Sequence, residues 1–544
     1  MKDHTKISLT KIALSMVLLV PVAQVFAESN IGGNLDAETN IKGGILSAAI
    51  GNSANAKADI NSIKESNVGG DAELNIDIEG GVLNAAIGKN TTANTKLGSV
   101  EDSDVGQDLT IDTEVQGGVL NAAIGTLGKA EATIGSIDDS KIDGSAEIDT
   151  KIVGGVLNAA IGKGTLATTS IGSVEDSKIK GDLEINTDVK GGVLNAAIGT
   201  GTFAETNLGS VKESDVGGDV EIDTKVVGGI LNAAVGTAGY AKTNVGTLED
   251  SKISGDAELE TEIKGGVLNA AVGTGTYAKT NVGSVVDSNV GGDLEVQTII
   301  KGGVVNAAVG YGSAAKTNVG AINASKIGGD ASINTEIKGA VVNAAVGAGT
   351  YAATNVGSVN DSKVGGSLDV NTELKGAVVN AAVGAASYAK TNVGSLENAR
   401  IGGDANLDTE VKGAIVNAAV GAVTYAKTNV GSVENSKVGG NLNMDTTIKG
   451  AVVNAAVGVA NYAKTDIGSI SGSNVAGNAT MNTTVNGAVV NASVGIATRA
   501  TTKIGSVKNT TAGSINMDTN LSGGSVNAAI GLGSSSSVSH GSVQ

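Results

Sequence analysis

The sequence predicts an all-β chain, a β-solenoid (β-helix) of tandem repeats, and three observations predict it. The stretch Gly191-Gly-Val-Leu-Asn-Ala-Ala-Ile-Gly199 returns in near-identical form with its leading glycine at Gly43, Gly80, Gly117, Gly154, Gly191, Gly228, Gly265, Gly302, Gly339, Gly376, Gly413, Gly450 and Gly487, always 37 residues apart, and again at Gly523 after a step of 36. The segments between its copies carry apolar residues at every second place, which is strand periodicity. Proline occurs once, at Pro21, so no later residue lacks a backbone donor and an unbroken hydrogen-bond ladder can form. A period this strict makes the chain one supersecondary unit stacked on itself, and places function on surfaces and ends rather than in a single pocket.

Taken in order, residues 1–27 read as a cleaved secretory signal: Lys2, Lys6 and Lys11, the apolar run from Ile12 to Val20, then Val25-Phe-Ala27 before Glu28. The run is shorter than the roughly 20 residues a bilayer span needs, and no other segment could span one, so no integral membrane segment is expected after signal removal. Residues 28–42 begin the first coil and residues 43–531 form the repeat domain. Within each repeat Gly283-Ser-Val-Val-Asp-Ser-Asn-Val-Gly291 aligns with Gly302-Gly-Val-Val-Asn-Ala-Ala-Val-Gly310, which predicts two coils of about 18.5 residues per repeat. That gives about 27 coils and, at about 4.8 Å per strand, a rod on the order of 130 Å long. One 37-residue coil per repeat is the alternative, with half the length and a wider section.

Two kinds of strand follow. In Leu183-Glu-Ile-Asn-Thr-Asp-Val189 the residues Leu183, Ile185, Thr187 and Val189 face inward. In Thr276-Tyr-Ala-Lys-Thr-Asn-Val282 the inward set is Thr276, Ala278, Thr280 and Val282, with Tyr277, Lys279 and Asn281 outside. Two-coil stacking sets position i against i+19, so Glu260 is expected beside Lys279, Asp223 beside Lys242, Asp408 beside Lys427 and Asp445 beside Lys464. Residues 532–544, with Ser534-Ser-Ser-Ser537 and His540, read as a flexible Ser-rich tail.

Composition excludes several functions. Cysteine is absent, so there is neither a disulfide framework nor thiolate metal ligation. A formal charge of -18 with two arginines argues against nucleic acid, whose phosphates demand a basic surface. The histidines are His4, in the signal, and His540, in the tail, and carboxylates repeat evenly along a rod without loops to build a cleft, so no catalytic constellation is expected.

The recurrent polar residues read as structural. The Asn of the repeat stretch, at Asn84, Asn121, Asn158, Asn195, Asn232, Asn269, Asn306, Asn343, Asn380, Asn417, Asn454, Asn491 and Asn527, predicts a hydrogen-bonded amide ladder. Asp102, Asp139, Asp176, Asp250, Asp287 and Asp361, followed by Asn398 and Asn435, occupy the matching place in the other half and are expected to share it. A cofactor-free chain is expected: carboxylates in turns suit calcium, but the glycine-rich nonapeptide of calcium-binding rolls does not occur, and a turn role accounts for these residues. Phe203, Tyr240, Tyr277, Tyr351, Tyr388, Tyr425 and Tyr462 form an outward aromatic stripe that could bind glycans or stack between fibrils, or else covers the neighbouring strands.

At Gln116-Gly-Gly-Val-Leu-Asn-Ala-Ala123 the chain resembles the repeat motif of curli-type functional amyloid subunits, with Gln116, Gly118, Asn121 and Ala123 in the matching places, and the G-x-x-N-x-A core continues at Gly81, Gly155, Gly192, Gly229, Gly266 and Gly303. The 37-residue spacing is similar also to Fap-type amyloid repeats. The resemblance implies a secreted bacterial monomer that adds coil to coil into a matrix fibre, its partner being itself, with a dedicated secretion or nucleation partner. The competing readings are a monomeric rod-like adhesin and an ice-binding solenoid. The latter needs an outward Thr array, whereas the Thr187 and Thr280 columns are expected to point inward.

Overall fold

The computed structural model describes residues 25–27 and 29–543, so residues 1–24 of the expected signal lie outside the described residues. Every strand pairing is parallel, in stacks of up to 14 strands within each sheet, and the pairs are offset by 37 residues until the last turn, where the step is 36. The fold is a β-solenoid of one turn per repeat.

One turn shows how the sequence makes it. A first long strand, Ala257–Lys264, ends at Gly265-Gly266, where the chain folds over into a second, Val267–Thr274. A third, Tyr277–Val282, returns along the second and stops at Gly283. Two short corner strands, Val285–Val286 and Asn289–Val290, then close the turn. The alternation predicted for the long strands is present: Leu183, Ile185, Thr187, Val189, Thr276, Ala278, Thr280 and Val282 are all buried.

Two corner glycines are required by geometry. Gly283 has φ near +49°, and a Cβ there would lie 2.0 Å from Thr298 Oγ1, so only glycine fits. The first glycine of each Gly-Gly pair faces the carbonyl of the previous turn: a methyl on Gly302 would lie 1.7 Å from the Gly265 oxygen. The second glycine is looser, 3.2 Å for Gly303, which is why Ala340 and its successors can replace it.

The two-coil expectation is therefore corrected to one turn per 37 residues. The sequence halves look alike but do different work. Asp287 adopts a left-handed backbone, φ +51°, at an exposed corner, whereas its counterpart Asn306 is fully buried. Val290 points inward and its counterpart Val309 points outward, 38% exposed. Fourteen turns at about 4.8 Å give a rod of roughly 65 Å rather than 130. The i, i+19 ion pairs are corrected with it. Glu260 stands beside Gln297, and Lys279 beside Lys242 and Lys316.

The interior tapers. Leu, Ile and Val fill the wide end between the corner strands and the first long strand, and a second aliphatic column, Ile263, Val267 and Val282 in this turn, fills the middle. Where the second and third strands close on one another the apolar residues are alanines, such as Ala271 and Ala278. Each fully buried Leu, Ile or Val contributes roughly 1.5–3 kcal/mol, so the wide end dominates cohesion. The expected tail is also corrected: Ser535–His540 pairs in register with Arg499–Ile504, because backbone pairing needs no apolar side chain.

Candidate functional site

The asparagines predicted to form a ladder lie in the narrow, alanine-lined part of the interior, and Asn84 through Asn491 are fully buried. Asn269 Nδ2 donates to Asn306 Oδ1 at 2.9 Å, to the Ala241 carbonyl at 3.1 Å and to the Lys279 carbonyl at 2.9 Å. The same three bonds recur from Asn84 to Asn491, and each amide bolts the second strand to the third while passing a bond to the next turn. Asn527 ends the ladder, donating to the Ser537 carbonyl at 2.9 Å.

The Asp column does not belong to this ladder. Asp102, Asp139, Asp176, Asp250, Asp287, Asp361, Asn398 and Asn435 occupy the exposed corner with φ between 45° and 52°, a conformation Asp and Asn tolerate better than other non-glycine residues. They serve as turn residues, and among the described residues no cluster of metal-ligating side chains occurs.

The seven aromatic residues face outward and are half-buried because they stack along the axis. Phe203–Tyr240, Tyr240–Tyr277, Tyr351–Tyr388, Tyr388–Tyr425 and Tyr425–Tyr462 have centroids 4.9–5.2 Å apart and ring planes within 29° of parallel. The stack is interrupted at Ala314, which pairs with Tyr277 on one side and Tyr351 on the other. Lys316 fills the interruption, its Nζ 6.0 Å from the Tyr277 centroid and 5.7 Å from that of Tyr351. Arg499 caps the far end over Tyr462. Burial first, then Glu249 and Asp287, pushes the Tyr277 hydroxyl up to about 12.

Beneath the rings lies a polar groove. The left-handed corner at Gly283 folds the short strand Val285–Val286 toward the outer side of the third strand, so side chains expected in solvent are enclosed. Asn281, expected in solvent, is fully buried, and Lys242, Lys427 and Lys464, in the same column as Lys279, are nearly so. Asn244 Nδ2 donates to Glu249 Oε2 across this corner at 2.8 Å. Lys427 bridges Glu397 at 2.7 Å and Glu434 at 2.6 Å, and Lys464 also pairs with Glu434. A second amide ladder, from Asn207 to Asn429, runs through the groove with each Nδ2 donating toward the N-terminus, as from Asn281 to Asn244 at 3.0 Å. Sequence reasoning missed it, although the Thr-Asn-Val triplet repeats every 37 residues from Thr243 to Val430.

No protein-family model, no curated protein and no solved structure matches the chain.

A further surface was also legible but overlooked. On the second strand the outward places are Leu or Val, then Ala, then Ile or Val, in all 14 turns, from Leu46-Ser-Ala-Ala-Ile50 to Val526-Asn-Ala-Ala-Ile530. The Ile or Val column is exposed in most turns, Ile198 at 43% for example, while the Leu or Val column is mostly half-buried, with Leu46, Leu83 and Leu268 among its exposed members. Along the first eight turns seven leucines, Leu46 to Leu268, and then Val305 border an apolar groove floored by the second glycines, from Gly44 to Gly303. It ends where Ala340 replaces glycine.

Proposed function

We propose that this chain is a secreted structural protein that adds turn to turn into an extracellular, functional-amyloid-like fibre of a biofilm matrix. The observation that carries the reading is the last turn. Ile515–Leu521, Ser525–Ile530 and Ser535–His540 each pair with the turn before them and, among the described residues, with nothing beyond. In the first turn Leu35–Lys42 and Ile45–Asn52 pair, among the described residues, on one side only. The two edges are complementary in a parallel ladder, and unpaired strand edges template further pairing. Ile515, Met517 and Leu521, in columns buried in earlier turns, remain partly exposed, so another turn would cover them.

The recurrent polar residues support a structural role, since the inward asparagines, the groove asparagines and the tyrosines each take their main partner one turn away. A glycan-binding adhesin would use ring faces, and here most of those faces are occupied by other rings or by Lys316 and Arg499. The Thr187 and Thr280 columns lie inside, away from any ice-facing array.

Electron microscopy and fibre diffraction of the chain lacking residues 1–27, held at neutral pH, test the proposal. Filaments many times longer than a single rod are expected, with a reflection near ~4.8 Å along the axis. Met517→Lys, which sets an inward-pointing charge on the open side of the last turn, is expected to stop growth. Rods that stay single at every concentration would sink the reading.

A further inference from the structure

We infer that two copies of this rod pair side by side through the apolar outer face of the second strand. The face presents three columns in every turn without one polar side chain, on a chain of net charge -18. Fourteen strands at about 4.8 Å, each offering three outward residues over about 14 Å, make a plane of roughly 900 Å². That exceeds the few hundred Å² of apolar patch usual on a monomer and matches the roughly 800 Å² per partner of a stable interface.

The chemistry favours a second copy as the occupant. The face is held by continuous ladders and is periodic at the turn spacing, so another copy meets it in matching steps along the rod. Its leucine ridge, Leu83 and Leu268 for example, fits the glycine-floored groove beside it, giving a self-complementary contact. Charge points the same way: the outer side of the first strand carries carboxylates such as Glu184, Glu221, Glu258 and Glu295 and would repel its like, while the second-strand face carries none. A membrane is the poorer fit, because the acidic chain has no tryptophan and the lysines bordering the face, Lys264 and Lys301 through Lys449, are already paired with Glu262, Glu336, Glu373 and Glu410. The pairing is independent of end-to-end growth, since it uses the side of the rod and not its edges.

The test is sedimentation equilibrium of the chain lacking residues 1–27 and carrying Met517→Lys, so that elongation and side-by-side pairing are separated. A dimer is expected, undiminished by added salt. Adding Ile124→Lys and Ile198→Lys, both outward, should weaken it at least ~10-fold, equivalent to about 1.4 kcal/mol. The isosteric set Val235→Thr, Val272→Thr and Val309→Thr keeps shape and strand propensity and should weaken it in the same direction. Thr110→Lys, a charge on the polar first strand, should leave it unchanged, with circular dichroism and melting confirming each fold. A monomer at every concentration, or a dimer indifferent to both sets of face variants, would overturn the inference. So would a monomer that co-floats with neutral phosphatidylcholine vesicles through the same residues, which would identify lipid as the occupant. A chain with Met517 restored that dimerises but never elongates into filaments would count against the fibre reading alone.

Discussion

The polar groove is built twice on the same backbone with opposite electrostatics. Asp138 and Glu434 occupy the same column of the short corner strand. Asp138 stacks between Glu101 and Glu175, and Glu434 between Glu397 and Ser471. The decisive difference lies across the groove, where the facing column reads Asn94, Glu131, Thr168 beside Asp138 but Lys390, Lys427, Lys464 beside Glu434. Burial, then Glu175, Asp139 and Glu131, pushes the Asp138 carboxyl up to about 7. Burial would raise Glu434 too, but Lys427 and Lys464 outweigh it and hold that carboxyl at about 2. A solenoid can thus keep one fold while each turn's facing residues decide whether a buried acid is a cost or a bond.

The largest effect should come from removing the cation in the well-paired region. Lys427 is 5% exposed and serves two carboxylates, Glu397 and Glu434. Lys427→Met keeps the apolar stem and takes one of two lysines from each acid, Glu397 keeping Lys390 and Glu434 keeping Lys464, so two charge-assisted bonds are lost at a cost of about 3 kcal/mol. The loss should appear as reduced amide protection across the turns that hold Glu397 and Glu434, leaving turns near Asp138 unchanged. A uniform loss along the rod would show instead that the two regions unfold as one unit.

Acid should separate the regions with opposite signs. Asp138 has a folded value near 7 against 3.8 unfolded, so the folded state holds the proton between those limits. Stability around Asp138 should therefore rise as pH falls from about 7 to 4, by up to about 1.4 kcal/mol per unit. Glu434 has a folded value near 2 against 4.5, so its contribution is full above 4.5 and is lost as pH falls toward 2. Hydrogen exchange corrected for intrinsic rates should show Lys129–Ile134 gaining protection from pH 8 to 5 while Val423–Val430 holds until below 4.5. Asp138→Asn should abolish the first change and leave the second intact.

Much of this architecture was legible in the sequence, and what was not has physical causes. Alternation gave the inward faces of the long strands, and the period gave the stacking. The half-repeat match misled because glycine, valine and Asp or Asn at fixed spacing serve equally for a tight left-handed corner and for the start of a long strand. Gly283 and Gly302 look alike in sequence, but the first turns the chain by its φ and the second by its close approach to a carbonyl. Once the turn is 37 residues long, the stacked partner of each residue lies 37 places away instead of 19, which replaced the predicted ion-pair partners with others. The groove was hidden for a related reason. Parity tells which side of a strand Asn281 or Lys279 occupies, but not that the next corner brings Val285–Val286 over that side. The apolar face needed no such knowledge, since alternation along Leu194-Asn-Ala-Ala-Ile198 already displays it.

The smallest expected effect concerns the aromatic stack, which differs on either side of Ala314. Before it three rings stack from Phe203 to Tyr277, and after it four stack from Tyr351 to Tyr462. The interruption spans two turn steps, room for one ring at the spacing seen elsewhere in the column. Ala314→Tyr should complete a stack of eight, adding two ring contacts of about 0.5–1.5 kcal/mol each beyond area burial. Against this stands the displacement of Lys316 from its place over two rings, a loss of about 0.5–1 kcal/mol at an exposed site. The net expectation is a modest gain, on the order of 1 kcal/mol, read as increased protection of Ser313–Val319 and the strands on either side. A loss of stability would mean that the lysine, rather than an empty place in the column, is what the fold selected there. Lys316→Met separates the two outcomes: it removes the cation alone, and its cost added back to the Ala314→Tyr change leaves the ring contacts by themselves.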